Sequence, residues 1–263
     1  MSLLVVDHVT KKYGTSSWFH RNKPAKSALS DVSFTVEPGT CMGILGESGA
    51  GKSTLGKIIL GLLPPDSGSV RFEGVDLYRS DRHTRKKIRR NLQVVFQDCY
   101  SAVNPRMTVR QIIAEPLRNF ERLSAQQERS IIVELLETVG LAAEHLDKNP
   151  RQMSGGQLQR VNIARAIALN PKLIVLDEPL SSLDMIVQKQ ILQHLNELKD
   201  SKGLSYLFIS HDVMAVNNLS DRVAVLDKGM IVESMEANAM FECSHPSSQR
   251  IIHAIHEANR LGP

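Results

Sequence analysis

Gly46-Glu47-Ser48-Gly49-Ala50-Gly51-Lys52-Ser53-Thr54 fits the spacing G-x-x-x-x-G-K-[ST] and stands between two segments of different periodicity. Before it, Cys41-Met42-Gly43-Ile44-Leu45 is a short apolar run of buried-strand type. After it, Leu55 to Leu63 continues at helical spacing, and Pro64-Pro65 is expected to stop the helix. A strand, a glycine-rich turn and a helix in that order make a phosphate-binding loop. The glycines let backbone N–H groups converge on phosphate oxygens, and the helix N-terminus adds partial positive charge. Lys52 is then expected to reach the β and γ phosphates, and Ser53 to offer a hydroxyl to the magnesium that bridges them. A glycine turn that merely capped a helix would have no use for a lysine followed by a hydroxyl residue.

The loop sits in a chain of 263 residues, enough for one large α/β domain with an inserted subdomain. A formal net charge of +4 suits an acidic ligand or a membrane-proximal surface without indicating nucleic acid. No apolar run approaches the length of a membrane span, and Asp7 interrupts the apolar N-terminus, so a cytosolic location is expected. Cys41, Cys99 and Cys243 are odd in number and lack C-x-x-C spacing, which points to free thiols in a reducing compartment.

Upstream of the loop, Leu3 to Val6 with Val9 reads as a strand, and Lys11-Lys12-Tyr13-Gly14 as a turn. Tyr13 is a candidate to stack on an adenine ring or, equally in keeping with its type, to seal a strand end. Thr15 to Ser27 is a polar, basic insertion carrying Trp18 and Phe19, and Ala28 to Val36 alternates as a strand. Downstream, Ser69–Phe72 and Val75–Leu77 flank Glu73-Gly74 as a hairpin, which places a small antiparallel piece beside a parallel core. Arg82 to Arg90 concentrates six cations without interleaved aromatics and reads as a solvated helix face.

Three further apolar strands end in polar residues, at the edge where α/β sheets collect ligand chemistry. Leu92–Phe96 ends in Gln97, a candidate for magnesium or for the attacking water. Leu173–Leu176 ends in Asp177-Glu178, expected to face the phosphate loop, with Asp177 as magnesium ligand and Glu178 as general base. Leu204–Ile209 ends in Ser210-His211, where a histidine serves either as a hydrogen-bonding residue or in catalysis. Between the first two the chain turns helical, with a capping-box start at Ser124 and a helical run to Gly140. The segment closes on Ser154-Gly155-Gly156-Gln157, a second helix N-terminus suited to an anion, or else an ordinary serine cap. Val223–Leu226 and Met230–Val232 close the core as a hairpin.

In this order the motifs resemble an ATP-binding-cassette ATPase along nearly the whole chain. The resemblance implies an ABC nucleotide-binding domain: a RecA-like P-loop core, an antiparallel β subdomain and an inserted α-helical subdomain. On this reading residues 1–240 form the ATPase domain, with the helical subdomain at about 98–170, and 241–263 form a short C-terminal extension. The cofactors implied are ATP and Mg2+. Tyr13 matches the adenine-stacking aromatic, Gly46 to Ser53 with Thr54 the Walker A loop, and Gln97 the Q-loop. Ser154, Gly155, Gly156 and Gln157 match the signature, and Asp177 ends Walker B. Glu178 matches the catalytic glutamate, Ser181 to Asp184 the D-loop and His211 the switch histidine. Met153 in place of leucine before the signature, and Ser182 in place of alanine in the D-loop, depart mildly from the pattern. In this family two cassettes face head to tail, so the signature of one completes the nucleotide site of the other.

Phe96-Gln97-Asp98, Ser101, Asn104 to Val109, and His245-Pro246 with Gln249-Arg250 are similar to the dipeptide, oligopeptide and nickel importer subfamily. Ser101 to Arg106 and the short tail look closest to the second ATPase subunit of bacterial nickel importers. That likeness implies two integral membrane permease subunits, a sister ATPase and a periplasmic substrate-binding protein as partners, at the cytoplasmic face of the inner membrane. Nucleic acid is not implied, since Gln97 to Gln157 is too short for the long coiled coil of DNA-acting cassettes. A translation-associated cassette protein would carry two cassettes, and a non-hydrolysing scaffold would not keep Glu178 and His211. Cys243, His245, His253 and His256 are weighed as a regulatory nickel or zinc site, against the ordinary presence of histidines on an amphipathic tail.

Overall fold

The computed structural model describes residues 2–14 and 26–252. Residues 15–25 of the basic insertion, Trp18 and Phe19 among them, lie outside the described residues, as do His253 and His256. The chain divides into two compact units, one of Met1–Ile88 with Ser205–Pro263 and one of Arg89–Leu204.

The first unit begins with β1 (Leu4–Tyr13), β2 (Lys26–Val36), β3 (Cys41–Leu45), α1 (Lys52–Ile59), β4 (Ser67–Phe72) and β5 (Val75–Asp76), and α2 (Arg82–Asn91) leads out of it. The second holds β6 (Leu92–Val95), α3 (Val109–Phe120), α4 (Ala125–Thr138), α5 (Gly155–Ile167), β7 (Leu173–Asp177) and α6 (Met185–Lys202). The chain then returns to the first with β8 (Ser205–Ser210), α7 (Val213–Leu219), β9 (Arg222–Asp227) and β10 (Met230–Glu236). A last helix runs over 246–252.

In the first unit β2-β1-β4-β5 form an antiparallel sheet, and a second sheet runs in the order β10-β9-β3-β8. β3 is parallel to both β8 and β9. Every residue of β3 and of β8 is buried, as their unbroken apolar character requires of central parallel strands. In the second unit β6 and β7 pair in parallel while α3, α4 and α5 pack on one another. Capping boxes at Thr108 and Ser124 start α3 and α4.

Three local expectations change. Lys11-Lys12-Tyr13 belongs to β1, because Lys11 pairs with Leu29 and Tyr13 with Lys26 on β2. α1 ends before the prolines: Gly61 takes φ +68, its N–H donates to Ile58 O, and Leu62 N–H donates to Lys57 O. That six-to-one closure satisfies the last carbonyls without any help from Pro64. The alternation of β2 carries a one-residue slip. Leu29 and Val32 are both fully buried, an odd and an even position, because Asp31 at φ +57 is an extra residue bulged out of the ladder. His8 at φ +51 bulges likewise on β1, and its Nδ1 lies 2.6 Å from Asp31 Oδ1.

α2 forms as expected of the basic segment, with Ile88 its buried residue. Among the described residues no helix is long and apolar enough to cross a membrane.

Candidate functional site

The first unit places the loop Gly46–Thr54 at the carboxyl edge of β3. Register fixes what stands beside it: Leu45 pairs with Ser210 of β8 on one side and with Val225 of β9 on the other. His211, the residue after β8, therefore shares that edge and is exposed to solvent. Its neighbours serve the fold. Ser210 Oγ accepts from Asp212 N–H at 3.0 Å, and Asp212 Oδ1 caps α7 by accepting from the N–H groups of Met214 and Ala215.

The loop is clamped by backbone. Gly229 N–H, in the β9–β10 turn, donates to Ala50 O at 2.9 Å. A Cβ on Gly46 would come within 2.4 Å of Leu226 O, and one on Gly51, at φ +112, within 2.4 Å of Ala28 O. Glycine is a packing requirement at both positions, and at Gly51 a conformational one as well. Lys52 is 4% exposed, and its ammonium donates to Gly46 O at 2.7 Å and Glu47 O at 3.1 Å, so the side chain folds back inside the loop it follows. Ser48, Gly49 and Ser53 are solvent-exposed, while Ala50 is buried and Thr54 half-buried. Tyr13, at the end of β1, is 50% exposed.

The second unit builds its own edge. Val95 of β6 pairs with Leu176 of β7, so Gln97 and the pair Asp177-Glu178 leave parallel strands at the same end. Gln97 is exposed. Glu178 adopts φ +47, a left-handed conformation that glutamate rarely takes, and it does so directly before Pro179. The turn holds it there: Glu178 O accepts from Ser181 N–H at 3.4 Å and Ser181 Oγ at 3.2 Å. Sequence reading finds the carboxylate and misses this strain, which only the backbone reveals. Asp184 is the N-cap of α6, its Oδ1 accepting from Ile186 and Val187 N–H.

Ser154 caps α5 through a reciprocal box. Its Oγ accepts from Gln157 N–H at 3.2 Å, and Gln157 Oε1 accepts from Ser154 N–H at 3.0 Å. The serine-cap reading is therefore realised, and the N–H groups of Gly155 and Gly156, in the first turn, have no acceptor within the helix. A Cβ on Gly156 would meet Val187 Cγ1 at 2.5 Å, which is why glycine stands there. Two side chains that sequence reading did not connect tie this segment to the one after Gln97: Tyr100 OH donates to Met153 O at 3.2 Å, and Asn162 Nδ2 to Cys99 O at 3.1 Å.

Ser53 in the first unit offers a hydroxyl, and Gln97 and Asp177 in the second an amide oxygen and a carboxylate; each is a hard oxygen donor of the kind magnesium takes. All three cysteines are free and buried. Among the described residues no cluster of three or more His, Cys, Asp or Glu side chains could hold a metal.

A parallel core with a glycine loop and an inward lysine at one strand's carboxyl edge defines a P-loop nucleotide-binding domain of RecA-like type. The family described as ABC transporter matches residues 29–181. The "Probable peptide ABC transporter ATP-binding protein y4tS" of Sinorhizobium fredii is 45% identical over 96% of this chain and 72% of its own length. The nickel import ATP-binding protein NikE of Brucella suis is 43% identical over 97% of this chain and 96% of its own. Among solved structures, the dimeric cassette MJ0796 in a post-hydrolysis state bound to ADP and Pi aligns with a TM-score of 0.79 at 30% identity, covering 89% of this chain and 98% of that one. This chain belongs to the ABC transporter family and is an ATP-binding domain of it.

Proposed function

We propose that the chain is the ATP-hydrolysing motor subunit of a bacterial ABC importer, and that its cargo is nickel. The observation that carries the motor assignment is the clamped loop with Lys52 folded into it. The cargo assignment is supported by the nickel-import relative, which matches over nearly the whole of both chains, and by Ser101 to Arg106. Peptide import is the second reading, favoured by the 45% identity to the peptide-named relative.

In the proposed reaction Tyr13 stacks on adenine, and the N–H groups of Gly46 to Thr54 with Lys52 bind the phosphates. Ser53, Gln97 and Asp177 would hold a magnesium ion, which would supply charge neutralisation at the phosphates. Glu178 orients a water and accepts its proton as the water oxygen attacks the γ-phosphorus. The bond to the β–γ bridging oxygen breaks, releasing ADP and phosphate. The left-handed backbone of Glu178 sets the direction in which its side chain leaves the strand end, and strain of this kind is characteristic of functional sites. His211 holds the γ-phosphate. Ser154 to Gln157 and Asp184 serve the nucleotide of a second ATPase chain, a sister subunit. The pair works at the cytoplasmic face of the inner membrane with two permease subunits and, through them, a periplasmic binding protein. Residues 1–240 act as the ATPase domain, with its helical subdomain at about 98–170, and 241–263 as an extension.

Uptake of radioactive nickel and of a labelled dipeptide, in cells carrying the chain or its Lys52→Ala form, tests both levels. Loss of nickel uptake alone is expected. Loss of peptide uptake alone moves the cargo to peptides, and no loss of either removes the motor assignment.

A further inference from the structure

The C-terminal helix over 246–252 reaches the phosphate loop. Arg250 places Nη2 3.4 Å from Asp227 Oδ2 and Nε 3.8 Å from Glu47 Oε1. Register brings those two acids together: Leu45 and Val225 are paired, so Glu47 and Asp227 each stand two residues beyond the same rung, at the loop's mouth. Two carboxylates so placed repel one another, and both repel an arriving polyphosphate. Asp227 is 9% exposed, which makes its charge the harder to leave unpaired. Arg250 answers both.

The helix that carries Arg250 is itself fixed. Ile251 and Ile252 are buried, and Glu233 on β10 accepts from Ser244 N–H, Ser244 Oγ and His245 N–H at 2.9, 2.9 and 3.2 Å. The guanidinium is thus delivered to the loop by the tail segment, from outside the phosphate-loop motif.

We propose that Arg250 is a positioning residue for the phosphate loop: bridging Glu47 and Asp227, it offsets part of their charge and holds Glu47 in the geometry that admits the nucleotide, so the C-terminal extension sets nucleotide affinity. This rests on the reading of the loop as an ATP site.

The test is calorimetric titration of the 263-residue chain with ADP and magnesium. Arg250→Gln keeps the aliphatic stem and removes the charge. It should weaken binding roughly three- to tenfold, while Arg250→Lys keeps most of the affinity. In a Glu47→Gln background, Arg250→Gln should cost clearly less than in the parent, because the repulsion between the two acids is gone and only Asp227 is left uncovered. A general packing role for the tail would cost the same in both backgrounds, and that result overturns the proposal. So does unchanged affinity in Arg250→Gln when the parent chain binds ADP normally. A parent chain that fails to bind ADP removes the nucleotide reading as well, which separates the two failures. Should Arg250→Gln not fold, Asp227→Asn with and without Glu47→Gln puts the same charge question from the other side, and additive effects of the two overturn the proposal.

Discussion

Gly51 and Gly49 stand two residues apart in one loop, and both have positive φ, +112 and +81. In sequence they are equivalent members of a motif. The fold separates them: a Cβ at 51 would enter contact with Ala28 O at 2.4 Å, whereas nothing lies within 4 Å of one at 49. Gly51→Ala should therefore cost about 2–4 kcal/mol, combining left-handed strain with a backbone clash, and Gly49→Ala about 1 kcal/mol from strain alone. Thermal denaturation of the two variants checks the order, and equal losses would mean that the β2 backbone gives way. The residue types of the site were legible because phosphate chemistry demands them at fixed spacing. What each residue does besides was not. The second duty of Asp184 as a helix cap, the left-handed backbone of Glu178 and the inward fold of Lys52 depend on where neighbouring N–H and C=O groups fall.

At the level of elements, periodicity found the buried strands and α4 because each has one strong apolar pattern. It failed where a distant partner decides. β1 runs on through Lys11 to Tyr13 because β2 pairs with it there, and the bulges at His8 and Asp31 answer each other across the ladder. The tail is the clearest case, since nothing local marks Glu233 as its anchor. Burial pushes the Glu233 carboxyl up, but donors from the 244–248 segment outweigh it and hold the group down at about 2. A carboxyl lowered on folding lends stability that is fully present above its ordinary value of 4.5 and is lost as pH falls toward about 2. The tail should therefore stay docked at neutral pH and loosen in that acid window. Cys243 reports on it: the thiol is buried, and burial with the nearby Glu233 charge raises its pKa, so alkylation should be slow. Glu233→Gln should speed alkylation of Cys243 at neutral pH severalfold and leave Cys41 and Cys99 slow, as mass spectrometry of the labelled peptides would read. Equal rates in parent and variant would show that Glu233 does not hold the tail.

At the scale of the molecule, the first unit is assembled from the two ends of the chain. β3, which feeds the phosphate loop, takes β8 and β9 as neighbours from more than 150 residues away. Composition and motif order made the α/β class legible, but no local pattern states which strands adjoin, since parallel neighbours are chosen by packing over long separations. The chain's anion-suited features are likewise split between segments. The loop with Lys52 lies in one unit, and the glycines after Ser154, with Asp177 and Glu178, lie in the other. If ATP bridges two cassettes and hydrolysis parts them, then slowing hydrolysis should trap the pair. Glu178→Gln removes the proposed base while keeping the side chain's size and the amide's capacity to accept a hydrogen bond. Turnover should fall roughly 100- to 10,000-fold with ATP binding retained. Light scattering of this variant with ATP and magnesium should then register twice the 29.2 kDa chain mass if the chain pairs with itself. If it requires a sister, the mass should stay at that of one chain until the sister is added. A variant that hydrolyses ATP at the parent rate removes Glu178 as base, and one that binds ATP yet pairs with neither removes the shared-site arrangement while leaving the loop assignment standing.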